Sequence, residues 1–489
     1  MLRQRSSIYR HSQIPTFFLV LFLLLLLVFF FRPRLTLVVP GNRQLAPFSV
    51  VKEDIKNGFK DNTASVPPIS PPPPLPLPPL LPKSKARHSI NCSVSSTCST
   101  SRRIEGGIKW DPSNRPSCPA YFGYIYEDLK PWRTTGITLK MVEHFEKKQS
   151  FRITIVDGRM YLIIYKKRFQ TRDIFSIWGF IQLLEYYPGL LPDLDLIFDC
   201  VDWPIVKARD YSDANPPPPL FRYCADDATL DIPFPDWSFW GWSEINIRPW
   251  GGLLTDILKG NASEGQDWNA RLYIQDWLKE AQEGYKKSEL SDQCDHRYKI
   301  YVEGSAWSVS LKNILACDSP TLMLKPKYHD FFSRGLMPME HYWPVGLDRR
   351  CESIKLAIDW GNKHPSEAKA IGKAASDFLK NEVNIANVYD YMFHLLNEYA
   401  KLLKYKPSVP KGAKEICSTS MFCSRKNRVE RRFMKESLVK TASESGPCNL
   451  PSSATFYESL KDWNERKANA FQKVEEMERE ARDGIFKEA

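Results

Sequence analysis

The stretch IFSIWGFIQLLEYYPGLLPDLDLIFDCVDWP, residues 174–204, decides the fold class of this chain. Its apolar residues first recur at helical spacing, and Pro188-Gly189 ends the predicted helix. The stretch Leu194–Cys200 then predicts a strand, and Asp202 follows it closely. A helix that leads into a buried strand is typical of α/β proteins, and in open α/β sheets ligands bind at the carboxyl ends of strands. We therefore expect an α/β fold with Asp202 at a ligand-binding edge.

A hairpin precedes this unit and a second β/α unit follows it. Asp157-Gly158 separates two β-rich runs, Phe151–Val156 and Arg159–Tyr165, and favours a two-residue hairpin turn. The other elements that periodicity predicts are an amphipathic helix within 268–281, strands at 298–302 and 321–324 around a helix that ends near Cys317, and late helices at 366–382 and 388–405.

The N-terminus carries a membrane signal. An uninterrupted apolar run, Phe17–Phe31, follows Arg3, Arg5 and Arg10. It predicts an uncleaved signal anchor at 16–34, with residues 1–15 cytosolic and the rest of the chain lumenal. A cleaved signal peptide is the alternative, but no small-residue cleavage site follows the run. The Pro-rich segment 35–109 predicts a stiff lumenal stem, so we expect a single-pass type II protein of the Golgi or endoplasmic reticulum membrane.

Charge and cysteine content fit that compartment. The net charge is +11, but the basic residues are scattered, and the clusters that supply much of the excess, at the N-terminus and around 425–432, have no interleaved aromatic residues. We therefore do not expect nucleic-acid binding. Eleven cysteines permit lumenal disulfides, and the odd number leaves at least one thiol without an intrachain partner. Asn91 and Asn261 begin glycosylation sequons. The charged tail 406–489 predicts a solvated or loosely docked appendage, with partner binding as the alternative.

Several ordered blocks carry a resemblance to a known family. They are CPAYF (118–122), LPDLDL (191–196) with DWP (202–204), DWSFWGW (236–242), WNARLY (268–273) and YKIYVEGSAWS (298–308). Together they resemble the Rumi-type protein O-glucosyltransferases and the capsule-associated xylosyltransferases of glycosyltransferase family 90, particularly their plant branch. The resemblance spans roughly Trp110 to Tyr405 and implies a GT-B-like fold, in which two Rossmann-like lobes, 110–255 and 256–405, face each other across a cleft.

The resemblance also implies an inverting, metal-independent reaction in which a UDP-sugar is the co-substrate. Asp202 matches the catalytic carboxylate that acts as general base on the acceptor hydroxyl. The alternative is that a strand-end Asp caps a helix or pairs with a basic neighbour. Asp193-Leu194-Asp195 superficially resembles a metal-binding Asp-x-Asp motif, but it lies along a predicted strand, and we interpret it as structural.

The donor site implied by the resemblance lies in the second lobe. The expected donor-binding residues are Glu303, Gly304, Ser305, Ala306, Trp307 and Ser308, with Lys312 as a weaker candidate for charge compensation. Backbone N–H groups of such a loop, together with a helix N-terminus, could bind the leaving diphosphate. The alternative is an ordinary turn between strand and helix with a capping serine.

Candidate acceptor contacts lie in the first lobe. Trp237, Phe239 and Trp240 could form a platform for the sugar or the acceptor, although aromatic residues are equally good core residues. Arg172 lies roughly where the family has a substrate-contacting arginine.

One departure from the family pattern affects the expected activity. Between Leu253-Leu254-Thr255-Asp256 and Trp268 the family has an additional donor-contacting segment, including a basic residue, which this chain lacks. Its loss would leave the phosphates poorly neutralised. Two hypotheses follow: an enzyme that transfers glucose or xylose from UDP-glucose or UDP-xylose to a protein or polysaccharide hydroxyl, or an impaired isoform or pseudo-enzyme that binds glycans or partner enzymes.

Overall fold

The predicted hairpin lies within the larger sheet of the computed structural model, which describes residues 90–92, 98, 115–259, 277–283 and 290–488. Strands β1 (Phe151–Val156) and β2 (Arg159–Ile164) pair antiparallel, with Val156 opposite Arg159. Asp157 and Gly158 have φ values of 51° and 71°. Positive φ at both central residues is what a type I′ turn requires, so the predicted hairpin is confirmed.

Among the described residues two main sheets are formed, and both contain parallel pairs. The six-stranded sheet has the order β11-β2-β1-β3-β4-β6, in which β3, β4 and β6 run parallel to one another. The three-stranded sheet, β10-β8-β7, is entirely parallel. A small sheet, β5-β9, joins a strand of the first half to one of the second. The remaining strands are β3 Leu194–Phe198, β4 Phe221–Arg222, β5 Ala225–Asp226, β6 Ile232–Pro233, β7 Lys299–Tyr301, β8 Thr321–Leu324, β9 Tyr328–His329, β10 Trp343–Val345 and β11 Lys414–Ile416.

Helices cover and connect these sheets, which confirms the α/β class. The α-helices are α1 Tyr124–Asp128, α2 Leu139–Glu143, α3 Arg172–Tyr186, α4 Trp250–Lys259, α5 Trp277–Gln282, α6 Ser310–Leu315, α7 Arg350–Lys363, α8 Pro365–Glu382, α9 Ile385–Lys401, α10 Ser418–Ser424, α11 Arg428–Glu436 and α12 Ser453–Glu488. Short 3₁₀ turns lie at Ala120–Gly123, Lys130–Trp132, Ala208–Asp210, Trp237–Phe239, Ser243–Ile245, Leu290–Asp295 and Ser333–Gly335.

Within the part of the chain that the structure describes, one large hydrophobic core and one smaller cluster stabilise these layers. The large core extends from Cys118 to Phe456 along the chain. The smaller cluster includes Leu322, Trp343 and Val474, which join the three-stranded sheet to α12. The two-lobed GT-B arrangement is not tested by this packing and stays a prediction.

The C-terminal segment differs from the expected loosely docked tail. Strand β11 pairs with β2 at the edge of the six-stranded sheet. Phe433 and Met434 of α11 are fully buried. Disulfides join the segment to the beginning of the folded region through Cys92–Cys423, Cys98–Cys417 and Cys118–Cys448. Its charged residues misled the interpretation because a few large apolar residues, spaced for one helix face, are enough to dock a short helix.

Several sequence predictions fall outside the described residues. They are the anchor at 16–34, most of the stem, the sequon at Asn261 and most of the stretch that lacks the family segment. In the parts of the chain that the structure describes, no helix combines the length and apolarity needed to cross a membrane. Asn91 of the first sequon is exposed.

Candidate active site

Asp202 lies at the carboxyl end of β3 and forms an ion pair with Arg172. The contact joins Asp202 Oδ1 to a terminal guanidinium nitrogen of Arg172, the first residue of α3. The Asp202 side chain is 35% exposed and that of Arg172 is 12% exposed. The carboxylate is therefore accessible at the surface rather than packed inside the core. Asp202 thus pairs with a basic residue, as the structural alternative predicted. Because the carboxylate remains accessible, this ion pair is also compatible with a role of Asp202 as general base.

A buried network holds the backbone on both sides of Asp202. Asp199, only 1% exposed, accepts a hydrogen bond of 2.7 Å from Ser150 Oγ and contacts Arg168 and Arg222. Arg222 also donates to the carbonyl of Trp203. Because the residues before and after Asp202 are bonded to the same buried cation, the strand-end loop is held in place.

Asp231 anchors the other end of that loop. Its Oδ2 accepts hydrogen bonds from the backbone N–H groups of Ile205 (2.9 Å) and Val206 (2.8 Å), and its Oδ1 lies 3.2 Å from Arg222 Nε. Burial raises the pKa of Asp231 to about 6, and the charge of Arg222 opposes that rise. Sequence analysis did not identify this network, since its members are separated along the chain.

The Trp237 ring lies against Arg172 and makes edge-to-face contacts with two further rings. Its guanidinium carbon lies 4.4 Å from the Trp237 ring centroid, within the range of a cation–π contact. The Trp237 ring lies 4.9 Å from that of Tyr223 and 6.2 Å from that of Trp307. Trp237 is 1% exposed, so it positions Arg172 and offers almost no surface to a ligand.

The other two members of the predicted platform are core residues. Phe239 and Trp240 are both fully buried. Trp240 packs against α3 and donates a hydrogen bond of 3.1 Å from Nε1 to Tyr389 Oη. In this structure neither ring presents a face on which a sugar could stack. The two rings instead take the core position that the sequence analysis gave as the alternative.

An exposed aromatic ring does lie next to Asp202. Trp203 is 50% exposed and Phe169 is 70% exposed, and the Phe169 ring centroid lies 5.7 Å from the Arg172 guanidinium carbon. The position of Trp203 directly after the candidate base could have indicated a functional role. The sequence alone could not predict that its side chain is exposed.

Cys224 connects Asp202 to the predicted donor loop. Its thiol donates to the backbone carbonyl oxygen of Asp202 at 3.1 Å, and the nearby backbone N–H of Trp307 acts to lower the pKa of the same thiol. Cys224 is 1% exposed, and burial raises the pKa of the thiol, which keeps it protonated. The candidate base and the loop 303–308 are therefore neighbours in space, although about a hundred residues separate them along the chain.

The loop 303–308 is partly buried and partly exposed. Glu303 accepts hydrogen bonds from the backbone N–H groups of Lys327 (2.8 Å) and Tyr328 (3.0 Å), and burial raises its pKa. Gly304 and Ser305 are exposed, and a Cβ added to Gly304 would meet no atom within 4 Å.

The second half of the same loop turns inward. Ala306 and Trp307 are buried, and the backbone N–H of Ser308 donates to Tyr301 Oη at 3.1 Å. Helix α6 begins only at Ser310. The exposed backbone available to a ligand in this loop is thus confined to Gly304 and Ser305, and the predicted donor role of the loop remains a prediction.

Comparison with known proteins now identifies the family. The chain matches the model described as Glycosyl transferase family 90 over residues 113–264 and 254–478. This chain belongs to glycosyl transferase family 90. Membership indicates a glycosyltransferase enzyme and confirms the resemblance seen in the sequence. The two matched segments of the family 90 chain overlap at 254–264, in the region where the sequence predicts that a donor-contacting segment is missing.

Curated relatives share about a quarter of the aligned residues. The O-glucosyltransferase rumi homolog of Anopheles gambiae is 25% identical over 334 residues, which cover 60% of this chain and 81% of that protein. Protein O-glucosyltransferase 1 of Homo sapiens is 24% identical over 379 residues, which cover 64% of this chain and 92% of that protein. O-glucosyltransferase rumi of Drosophila melanogaster is 22% identical over 349 residues, covering 60% and 80%.

Lys312 of this family 90 chain is engaged inside the protein. Its Nζ lies 3.1 Å from Asp236 Oδ2 and 2.7 Å from Ser238 Oγ, and it stands 4.6 Å from the Phe239 ring centroid. The whole residue Lys312 is only 2% exposed. Its charge is therefore already balanced by Asp236, and the contact joins α6 to the 3₁₀ turn Trp237–Phe239.

Asp193 and Asp195 are used within the fold. Asp195, 1% exposed, binds Arg152 through contacts of 2.8 Å and 2.5 Å. Asp193 accepts a hydrogen bond of 2.8 Å from the backbone N–H of Asp157 in the hairpin turn. Among the described residues, the group close enough to hold a metal ion is Cys118, His394 and Cys448, but its two cysteines form a disulfide.

Proposed function

We propose that this chain transfers glucose or xylose from UDP-glucose or UDP-xylose to a hydroxyl group, with inversion at the anomeric carbon. Asp202 removes the proton of the acceptor hydroxyl while its oxygen attacks that carbon, and the nucleotide diphosphate leaves from the opposite face. The observation that carries the proposal is a carboxylate 35% exposed at the end of β3, whose flanking backbone is held by buried Asp199 and Asp231. Such a fixed position is what a general base requires.

A protein is the favoured acceptor class, with a polysaccharide as the other possibility. The relatives carry the names O-glucosyltransferase rumi and protein O-glucosyltransferase 1. Exposed Trp203 beside Asp202 supplies an apolar surface on which an acceptor could rest.

The donor is proposed to bind beside Gly304 and Ser305, without a metal ion. The exposed backbone of these two residues and the link through Cys224 to Asp202 support this placement. We further propose the two-lobed GT-B arrangement, with 110–255 as the catalytic lobe and 256–405 as the donor lobe. The separate six-stranded and three-stranded sheets support that division.

A second candidate function is an impaired family member that binds glycans or partner enzymes. It is favoured by the absent segment near 256–268 and by Lys312, whose charge Asp236 already balances. A donor diphosphate needs positive groups to stabilise it as it leaves. If the absent segment supplied that charge, this form would bind a nucleotide sugar weakly and turn it over slowly.

The compartment is proposed from the predicted anchor at 16–34 and from the cysteines. Four disulfides are formed among the described residues, and Asn91 of the first sequon is exposed. Disulfides persist in oxidising compartments. We therefore propose a single-pass type II protein whose catalytic region lies in the lumen of the Golgi or endoplasmic reticulum.

The role of Asp202 is tested by Asp202→Asn in the purified lumenal chain. We expect the rate of UDP release in the presence of acceptor to fall about 10²–10⁴-fold, because the amide cannot accept the hydroxyl proton. Asp213→Asn is the matched control, since Asp213 is an exposed carboxylate in the loop after β3, and its rate should stay unchanged. UDP release that is the same in both variants would exclude Asp202 as the base.

The same assay separates the two candidate functions. A panel of UDP-sugars is compared on the chain as it stands and on a form in which a family member's segment is inserted after Asp256. An active native form supports the enzyme, whereas activity that appears only after insertion supports the impaired isoform.

A further inference from the structure

Beside the candidate site lies an exposed, strongly positive surface that the proposed chemistry does not use. It is formed by Lys166 and Lys167 of the loop after β2 and by Lys426, Arg428, Arg431 and Arg432 at α11; all six are exposed. We call these six residues the basic surface. They include part of the cluster at 425–432 that the sequence analysis identified.

The cations of α11 are held on a rigid helix. Asn427 caps it, with Oδ1 accepting hydrogen bonds from Val429 N (2.8 Å) and Glu430 N (3.4 Å). On its inner face Phe433 is fully buried, with its ring 6.4 Å from that of Phe175 on α3. The outward residues of the helix therefore keep a fixed position relative to α3, from which Arg172 reaches Asp202.

Few direct ion pairs neutralise this charge, although Glu430, Glu244 and Asp173 lie near the Lys167 side of the basic surface. Arg432 lies 3.9 Å from Glu436, but Glu436 is shared with Arg248 at 3.4 Å. Among the described residues, no carboxylate lies within ion-pair distance of the other five cations. Like charges that crowd on one surface repel each other, and an anionic partner relieves that repulsion.

The basic surface is continuous with the candidate site. The Arg172 guanidinium carbon lies 5.8 Å from the Trp242 ring, and Trp242 pairs with Ile247 across a short turn. In that turn Asn246 Oδ1 accepts a hydrogen bond of 2.8 Å from Arg432. The site and α11 are thus joined by one turn of chain.

Lys167 interacts electrostatically with the same helix. Burial raises the pKa of Glu430 on α11, the charges of Arg425 and Lys167 oppose that rise, and Glu244 and Asp173 add to it. The loop that carries Lys167 also contains the exposed ring of Phe169, next to Arg172. The two groups of cations therefore border the site together.

We propose that the basic surface binds an acidic segment of the polypeptide that presents its hydroxyl to Asp202. This inference rests on the proposed function for the choice of a protein partner. Charge complementarity supports an anionic occupant, and the continuity with Arg172 and Asp202 supports an acceptor rather than an unrelated partner. Binding through exposed cations is steered over several ångströms and weakens with added salt.

The test measures binding of a short fluorescent Glu-rich peptide to the purified lumenal chain at low and moderate salt, with a Gln-rich peptide of equal length as reference. In one variant Lys166→Gln, Lys167→Gln and Arg428→Gln remove three charges of the basic surface. In the control variant Lys363→Gln, Lys369→Gln and Lys380→Gln remove three exposed charges from α7 and α8. Thermal unfolding verifies that both variants remain folded.

We expect the first variant to weaken binding of the Glu-rich peptide about tenfold or more, since long-range attraction falls with each cation removed, and the control to weaken it less than about twofold. Equal weakening in both variants would overturn the proposal, because only net charge would then matter. Tighter binding of heparin, DNA or anionic vesicles to the basic surface would also overturn it by assigning another occupant. Binding is measured without a donor, so failure of UDP-sugar turnover would overturn the proposed function and leave this result standing.

Discussion

Asp202 is positioned through its backbone as well as through its side chain. The ion pair with Arg172 orients the carboxylate, while Cys224 binds the carbonyl of the same residue at 3.1 Å. A hydrogen bond of this kind typically contributes about 0.5–1.5 kcal/mol to the stability of the folded arrangement. We therefore assign Cys224 the role of a positioning residue between Asp202 and Trp307.

Substituting Cys224 separates positioning from packing. Cys224→Val keeps a similar volume but loses the S–H donor, so we expect kcat to fall about tenfold with a smaller change in KM, as 1.4 kcal/mol corresponds to tenfold. Cys224→Ser keeps a donor and should restore most of kcat. Steady-state UDP release measures both, and thermal unfolding checks folding. If Val and Ser perform alike, the hydrogen bond has no positioning role.

Helix α3 is the element that brings the candidate site together. It begins at Arg172 and packs its buried face against the turn that carries Trp237 and Trp240. Gly179 permits this approach, because a Cβ built there would lie 2.6 Å from the Trp240 ring. Helical periodicity predicted α3, but it could not show which aromatic ring meets the glycine.

Gly179→Ala tests the close approach. The added methyl group must displace a fully buried Trp240, so we expect a loss of about 1–3 kcal/mol in the free energy of unfolding. Gly251→Ala in α4 is the control, because its added Cβ would meet Ile385 at an ordinary 3.6 Å. That control should be neutral or stabilise by up to about 1 kcal/mol through helix propensity. Urea denaturation followed by tryptophan fluorescence measures both, and equal midpoints would contradict the packing argument.

At the scale of the whole molecule, the C-terminal segment closes over the beginning of the folded region. The Cys118–Cys448 disulfide lies beside His394, whose Nε2 is 2.9 Å from the carbonyl oxygen of Cys448. His394 is 8% exposed, and burial lowers its pKa from 6.5 to about 4. The closure therefore depends on a histidine that is neutral in the folded state.

This histidine makes the molecule sensitive to acid. Well above pH 6.5 it is neutral in both states, and its contribution to stability is complete. As pH falls from 6.5 towards 4 the unfolded chain binds a proton that the folded chain does not, so stability decreases by about 3 kcal/mol.

His394→Gln removes the imidazole that titrates, so that the effect of its protonation on stability can be measured separately. Between neutral pH and pH 4 the native chain should lose about 3 kcal/mol more unfolding free energy than the variant. Nearby Asp390 acts in the opposite direction, since burial raises its pKa to about 6, but it is present in both forms. Urea denaturation across this pH range measures the difference, and parallel pH profiles would rule out His394 as the source.

Local chemistry in the sequence determined the hairpin at Asp157-Gly158, the helix that ends before Gly189 and the placement of Asp202 after a buried strand. These features depend on side-chain periodicity and on backbone preferences of a few adjacent residues, which the sequence contains directly. Family membership was likewise predictable, because several ordered blocks carried it.

Only the tertiary structure decided how distant residues meet. It paired Arg172 with Asp202, placed Cys224 between Asp202 and Trp307, buried Phe239 and Trp240, and docked the segment after 406 against the main sheet. Each of these contacts joins residues from 22 to several hundred positions apart. Periodicity fixes which face of an element is apolar, but the partner of that face depends on the path of the whole chain.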